Sequence, residues 1–115
     1  MKQNISRGDV YIVEFGKTIG SVQGGMRPVV VIQNDIGNKH SSTLIVATIT
    51  SKVNKKRTLP THIYFVCEFL DKESVVQLEQ ITTIDKQQLL DYAGQVPLSV
   101  MKKINEAIKV SLNLK

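Results

Sequence analysis

The hydrophobic pattern of this chain changes its period once. Up to about residue 81 the apolar residues come in short runs rich in β-branched and aromatic side chains; nearer the end they recur every three or four positions. The first kind of pattern predicts strands. Residues 10–15, 29–33, 43–50, 62–66 and 74–81 are the five candidates. The third is apolar on both faces at its start, which predicts a central position in a sheet. Asn34-Asp35-Ile36-Gly37-Asn38 carries turn chemistry, and Asp71-Lys72-Glu73 makes a second turn. Residues 51–60 form a polar, basic loop. Asp85 is placed to cap a short helix, with Gln88 completing a capping box and Ile84 stapled to Leu89; this helix is expected to end near Gly94. Ser99 is placed to cap a longer helix over residues 100–112, where Val100, Met101, Ile104, Ala107, Ile108 and Leu112 form one stripe. Strands first and helices last predict a mainly β fold, a small barrel or sandwich covered by a terminal helix.

Length sharpens this picture. The chain has 115 residues, enough for a single domain, and 42% hydrophobic residues, enough for a modest core. It has no apolar run of membrane-spanning length, and Met1-Lys2-Gln3-Asn4 lacks a signal-peptide core. The expectation is a soluble, cytoplasmic protein without a membrane partner. A lone cysteine, Cys67, excludes an internal disulfide and reads as a small buried hydrophobe in the run Phe65-Val66-Cys67.

Charge points to a polyanionic partner. The formal net charge is +5 and the pI is near 9.4. Lys52, Lys55, Lys56 and Arg57 cluster between two strand candidates, where they are free to reach a ligand. Aromatic residues make up only 5%, with no tryptophan, which argues against an RNA-binding sheet built on stacked rings.

The side chains leave few kinds of chemistry open. The two histidines, His40 and His62, have no metal-ligand spacing, and His62 reads as a structural strand residue. No metal or cofactor is expected. There is no P-loop, no dinucleotide fingerprint and no G-x-S-x-G elbow. The most informative stretch is Gly20-Ser21-Val22-Gln23-Gly24-Gly25-Met26-Arg27-Pro28. Gly24 and Gly25 accept positive φ, and Pro28 pushes Arg27 toward an extended conformation. A flexible loop thus ends rigidly on a permanent charge, a way to hold a cation against a phosphate. RNA allows phosphate chemistry without a metal, because its own 2′-hydroxyl can attack the neighbouring phosphate.

The order of motifs resembles the MazF/PemK family, the toxin ribonucleases of type II toxin–antitoxin pairs. Arg7-Gly8-Asp9-Val10-Tyr11 resembles the family's opening strand, and Gln23-Gly24-Gly25-Met26-Arg27-Pro28 its most distinctive loop. Residues 31–38 look like the branch from low-GC Gram-positive bacteria. Ala47-Thr48-Ile49-Thr50, Leu59-Pro60-Thr61-His62, Leu78-Glu79-Gln80-Ile81 and Thr83-Ile84-Asp85-Lys86 follow in the family's order. The resemblance implies an SH3-like β-barrel with helices packed on it, a homodimer, and metal-independent cleavage of single-stranded RNA, chiefly mRNA, at short motifs. It implies an antitoxin partner that is MazE-like, acidic and partly disordered. It places the catalytic arginine on Arg27 and the catalytic threonine on Thr50. Ser21 and Gln80 fall on positions that resemble RNA-contacting ones; Gln23, Lys52, Lys55, Lys56 and Arg57 join them as candidate RNA-binding residues on the loops.

Two departures bear on sequence preference. Thr82 stands where arginine is frequent in this branch, and the connection over residues 68–72 lacks the expected glycine. Two other readings use the same scaffold: a CcdB-like toxin that binds a topoisomerase without cutting RNA, and a nucleic-acid-binding barrel with no activity. The glycine loop with Arg27 and a strand-end threonine favours the RNA cleaver.

Overall fold

The computed structural model describes residues 4–16, 25–52 and 59–115. Six strands, β1 (Asp9–Glu14), β2 (Met26–Val31), β3 (Thr43–Thr50), β4 (His62–Phe65), β5 (Ser74–Asp85) and β6 (Leu89–Gln95), form one antiparallel sheet in the order β4-β5-β3-β2-β1-β6. Helix α1 (Asp35–His40) joins β2 to β3, and helix α2 (Leu98–Leu112) ends the chain. The third strand is central, as its apolar start implied.

A bulge bends the sheet. Ala47 pairs with Ile81 but Thr48 pairs with Gln77, so Leu78, Glu79 and Gln80 are extra residues on β5. The freed Leu78 N–H donates to Thr61 O at 2.9 Å. The freed Leu78 carbonyl accepts from Ser111 Oγ on α2 at 2.6 Å. Beyond the bulge β5 runs on past residue 81 and pairs with the start of β3. It then passes through one turn of 3-10 helix (Lys86–Gln88) into β6, which pairs with β1. The ladder thus goes from β5 round to β6, and a covalent turn spans the remaining gap. Inside this half-closed barrel lie Tyr11, Val13, Val29, Val31, Leu44, Val46, Ile84 and Leu89.

The capping box forms as expected: Asp85 Oδ1 accepts from Gln87 N, and Gln88 Oε1 accepts from Asp85 N, both at 2.8 Å. The helix expected to run to Gly94 does not. After one turn the chain becomes β6, because the outer edge of β1 has backbone groups to pair and residues 89–95 supply them. Gly94 is not a helix cap. A Cβ there would sit 2.5 Å from Phe69 Cδ2, so the ring packs directly on the strand backbone and anchors the glycine-free connection before β5.

The other face of the sheet packs on α2. Met101, Ile104 and Ala107 meet Val10, Val30, Ala47, Ile49, Val76 and Leu78. Val100 and Ile108 pack beside them, so the stripe forms as expected up to Ile108, but Leu112 is exposed and the cap is not Ser99. The helix starts at Leu98 behind Pro97, whose φ of −59° and ψ of 152° leave it outside the helix, and no side-chain hydrogen bond among the described residues caps it. Asn34-Asp35-Ile36-Gly37-Asn38 forms most of α1 and not a turn, because Asn34 Oδ1 accepts from Gly37 N at 2.8 Å and caps it.

The opening motif is spent on the fold. Arg7 Nε donates to Ile32 O at 2.7 Å. The fully buried Asp9 carboxylate accepts from Ser6 N, Tyr11 Oη and Gln95 Nε2 at 2.9–3.2 Å. Burial, and then the Asp9 charge, push the Tyr11 phenol well above its ordinary range.

Candidate active site

The loop that carries the distinctive motif leaves the sheet through a paired neck. Phe15 N donates to Gly25 O at 2.9 Å and Gly25 N to Gly16 O at 2.8 Å. Gly16 and Gly25 have φ of +70° and +74°, which only glycine adopts at low cost. Ser21 and Gln23 lie outside the described residues, as do Lys55, Lys56 and Arg57.

Arg27 follows this neck, half-buried on β2 opposite Val13 of β1. The β2–β3 ladder ends at the pair Val29–Thr48, one residue before Pro28, which has no N–H to donate. Beyond that point the strand ends frame a groove. Arg27 lines it from β2, Thr50 and Ser51 from the end of β3, and Asp71 and Lys72 from the turn before β5; its volume is about 270 Å³. The register that pairs Val29 with Thr48 brings Arg27 and Thr50 to the same level on adjacent strands.

Thr50 is only 4% exposed. Its Oγ1 accepts from Lys52 N at 3.1 Å, which orients the hydroxyl and leaves its proton to donate. Lys52 therefore supports the site with its backbone, while its side chain is exposed. Gln80 is half-buried in the bulge and does not line the groove. In the sequence Asp71 and Lys72 are legible only as a turn. Their charge marked them as exposed, but nothing in the sequence shows that this turn returns to the end of β3.

His62 behaves as a structural residue: its Nε2 lies 2.7 Å from Glu79 Oε2, and Thr61 Oγ1 donates to Glu79 Oε1 at 2.9 Å. Cys67 is half-buried against the core under α2, and burial pushes its thiol up, which disfavours the reactive thiolate. A second cavity of about 390 Å³ lies by α1, at the opposite end of β2 from Arg27, and its Lys86 Nζ is bonded to Asn38 O at 2.6 Å. Among the described residues no helix is long and apolar enough to cross a membrane.

Residues 6–112 match the model of the PemK-like, MazF-like toxins of type II toxin–antitoxin systems. The chain belongs to this family. It is 47% identical over 112 residues to Endoribonuclease EndoA of Bacillus subtilis, covering 96% of each chain. It is 49% identical over 110 residues to Endoribonuclease MazF of Staphylococcus saprophyticus, covering 94% of this chain and 91% of that one. Both relatives come from the bacterial branch that residues 31–38 resemble. Among solved structures, an endoribonuclease in complex with its cognate antitoxin from a mycobacterial species superposes with a TM-score of 0.82 at 28% identity, covering 96% of this chain and 97% of that one. MazF from Deinococcus radiodurans, at 18% identity and a TM-score of 0.82, shares the fold. The Bacillus, Staphylococcus and mycobacterial relatives bear the name endoribonuclease, and the topoisomerase-binding alternative finds no support in them.

Proposed function

We propose that this MazF/PemK toxin is a sequence-specific endoribonuclease that cuts single-stranded RNA in the groove between Arg27 and Thr50. The observation that carries this reading is their meeting: two residues on different strands, both implied by the family resemblance, line one groove. The 2′-oxygen attacks the adjacent phosphorus, the bond from phosphorus to the 5′-oxygen breaks, and a 2′,3′-cyclic phosphate and a 5′-hydroxyl end result. The proton lost by the 2′-hydroxyl is balanced by one gained at the leaving oxygen. Arg27 presents a planar fork of donors to two phosphoryl oxygens and stays charged throughout physiological pH. Thr50 is a poor base because its hydroxyl ionises far above neutrality; its oriented O–H donates to the reacting group and fixes the in-line geometry. Lys52 and the basic residues 55–57, with Ser21, Gln23 and Gln80, are candidates to hold the strand on either side.

The test is a long RNA incubated with the protein in EDTA, next to an oligonucleotide with one 2′-deoxyribose at the cleavage position. Discrete fragments with 5′-hydroxyl ends are expected from the first, and none from the second. Cutting of the deoxy substrate, or activity lost in EDTA and restored by magnesium, refutes the mechanism.

The same reading extends to partners. Leu98 is 73% exposed on α2, with Val110 and Leu112 more than half exposed. Self-association into a homodimer buries such surface. An acidic, partly disordered MazE-like antitoxin segment would lie along the groove, pair with Arg27 and the basic loop, and block RNA. Light scattering is expected to give twice the chain mass, and adding the antitoxin to suppress cleavage. A monomer at micromolar concentration, or full cleavage by the confirmed complex, contradicts the respective claim.

A further inference from the structure

The face of the sheet that carries Arg27 and Thr50 has a second buried donor that the fold does not use. In an antiparallel ladder, residues directly opposite each other put their side chains on the same face. One such row crosses four strands: Val29 on β2, Thr48 on β3, Gln77 on β5 and His62 on β4. The next row holds Thr50 opposite Val75, with Tyr64 opposite Val75 in turn. Arg27 lies two residues before Val29, so it shares this face. Gln77 is therefore the diagonal neighbour of Thr50, about 7–8 Å away between Cα atoms.

Thr48, Thr50 and Gln77 are polar yet only 4%, 4% and 9% exposed. They form a buried polar band beside the groove. Within it Thr48 Oγ1 donates to Gln77 Oε1 at 3.0 Å. That bond fixes the amide plane and turns its nitrogen away from Thr48. The two N–H groups of Gln77 Nε2 have no acceptor among the described residues. Burying donors without partners costs free energy, and folded proteins complete such groups with a ligand or an ordered water that a ligand can displace.

We propose that Gln77 is a specificity-determining residue of this toxin, whose side-chain amide donates to a ring nitrogen or carbonyl on the base edge of a nucleotide flanking the cut phosphate. The inference rests on the ribonuclease reading. A neutral, oriented amide suits a base edge, while phosphate is served by Arg27 and the lysines. The diagonal offset from Thr50 matches the step from a reacting phosphate to the base beside it. Thr48 is the positioning residue that holds the amide.

The experiment maps the 5′ ends of fragments cut from a mixed RNA pool by the wild-type dimer or monomer as isolated, and by Q77L, Q77E and T48V. Rates are then measured on oligonucleotides that vary one base at a time. For Q77L, discrimination at one base position is expected to fall by about 10- to 100-fold, with the other positions of the motif unchanged. Q77E replaces the donor by an acceptor, so its preference at that same position should move toward bases that present an amino group. T48V should loosen that position to a smaller degree. If Q77L fails to fold by circular dichroism, Q77E and T48V decide by the same readout. An unchanged motif in the folded variants overturns the proposal. So does a uniform loss of rate with the motif intact, which marks a structural role. If the wild type cuts no RNA at all, the ribonuclease reading fails and takes this inference with it, an outcome distinct from an unchanged motif.

Discussion

Arg27→Ala is expected to lower RNA cleavage by about 10²–10³-fold while leaving the melting temperature and the circular dichroism spectrum near wild type. The residue is only half-buried, at the end of β2, so its removal opens no core cavity. What is lost is charge held against the phosphoryl oxygens as they become more negative. Arg27→Lys is expected to recover little of the rate. An ammonium keeps the charge but loses the two-pronged geometry, and its longer search for a position costs alignment. Single-turnover rates on a defined oligonucleotide make the measurement, because they separate the chemical step from product release. An alanine variant that cuts at the normal rate removes Arg27 from the mechanism.

Thr50→Val is expected to slow the chemical step by about 10²-fold with little change in RNA affinity. Valine has nearly the shape of threonine, so the buried end of β3 stays filled and the variant isolates the hydroxyl. Thr50→Ser keeps the oxygen that accepts from Lys52 N and should retain activity within about tenfold of wild type. The serine variant is the sharper of the two. If it folds but is as slow as valine, the side chain acts through packing and not through its hydroxyl. Binding is measured separately on an uncleavable 2′-deoxy oligonucleotide, so that affinity and rate do not mix.

The two residues are legible in the chain to different degrees: Thr50 by itself is an ordinary β-former at a strand end, and only the family resemblance marks it. Arg27 stands out because the glycines and Pro28 constrain its backbone, and that constraint is local. Five of the strands were legible for a similarly local reason: Thr43–Thr50 is a run dense in β-branched residues, apolar on both faces at its start, which leaves little else to form. The stripe of α2 was legible from its spacing.

The misreadings are of another kind. Residues 89–95 carry a sound capping box ahead of them, yet become β6, because β1 lies alongside with unpaired backbone groups. Local helix signals lost to a long-range partner. The strand β5 runs on past Ile81, where its apolar run ends, because a three-residue bulge lets it bend and pair again with β3, and nothing local shows that bulge. Asn34 has the chemistry of a turn and caps α1 instead; the same side-chain bond serves both ends, and only the path to β3 selects between them.

The sequence by itself determined that this is a small, basic, mainly β toxin of the MazF/PemK family, and it singled out Arg27 and Thr50, since those properties rest on composition, local backbone limits and the order of short motifs. Tertiary structure alone decided that these two residues share a groove with Asp71 and Lys72, that the Lys52 amide bonds the Thr50 hydroxyl, that Gln77 lies on their face, and that Gln80 does not line the groove. Each of those facts depends on the register between strands far apart in the chain. Register is set by the summed burial of two faces and by one bulge, and no single residue records it.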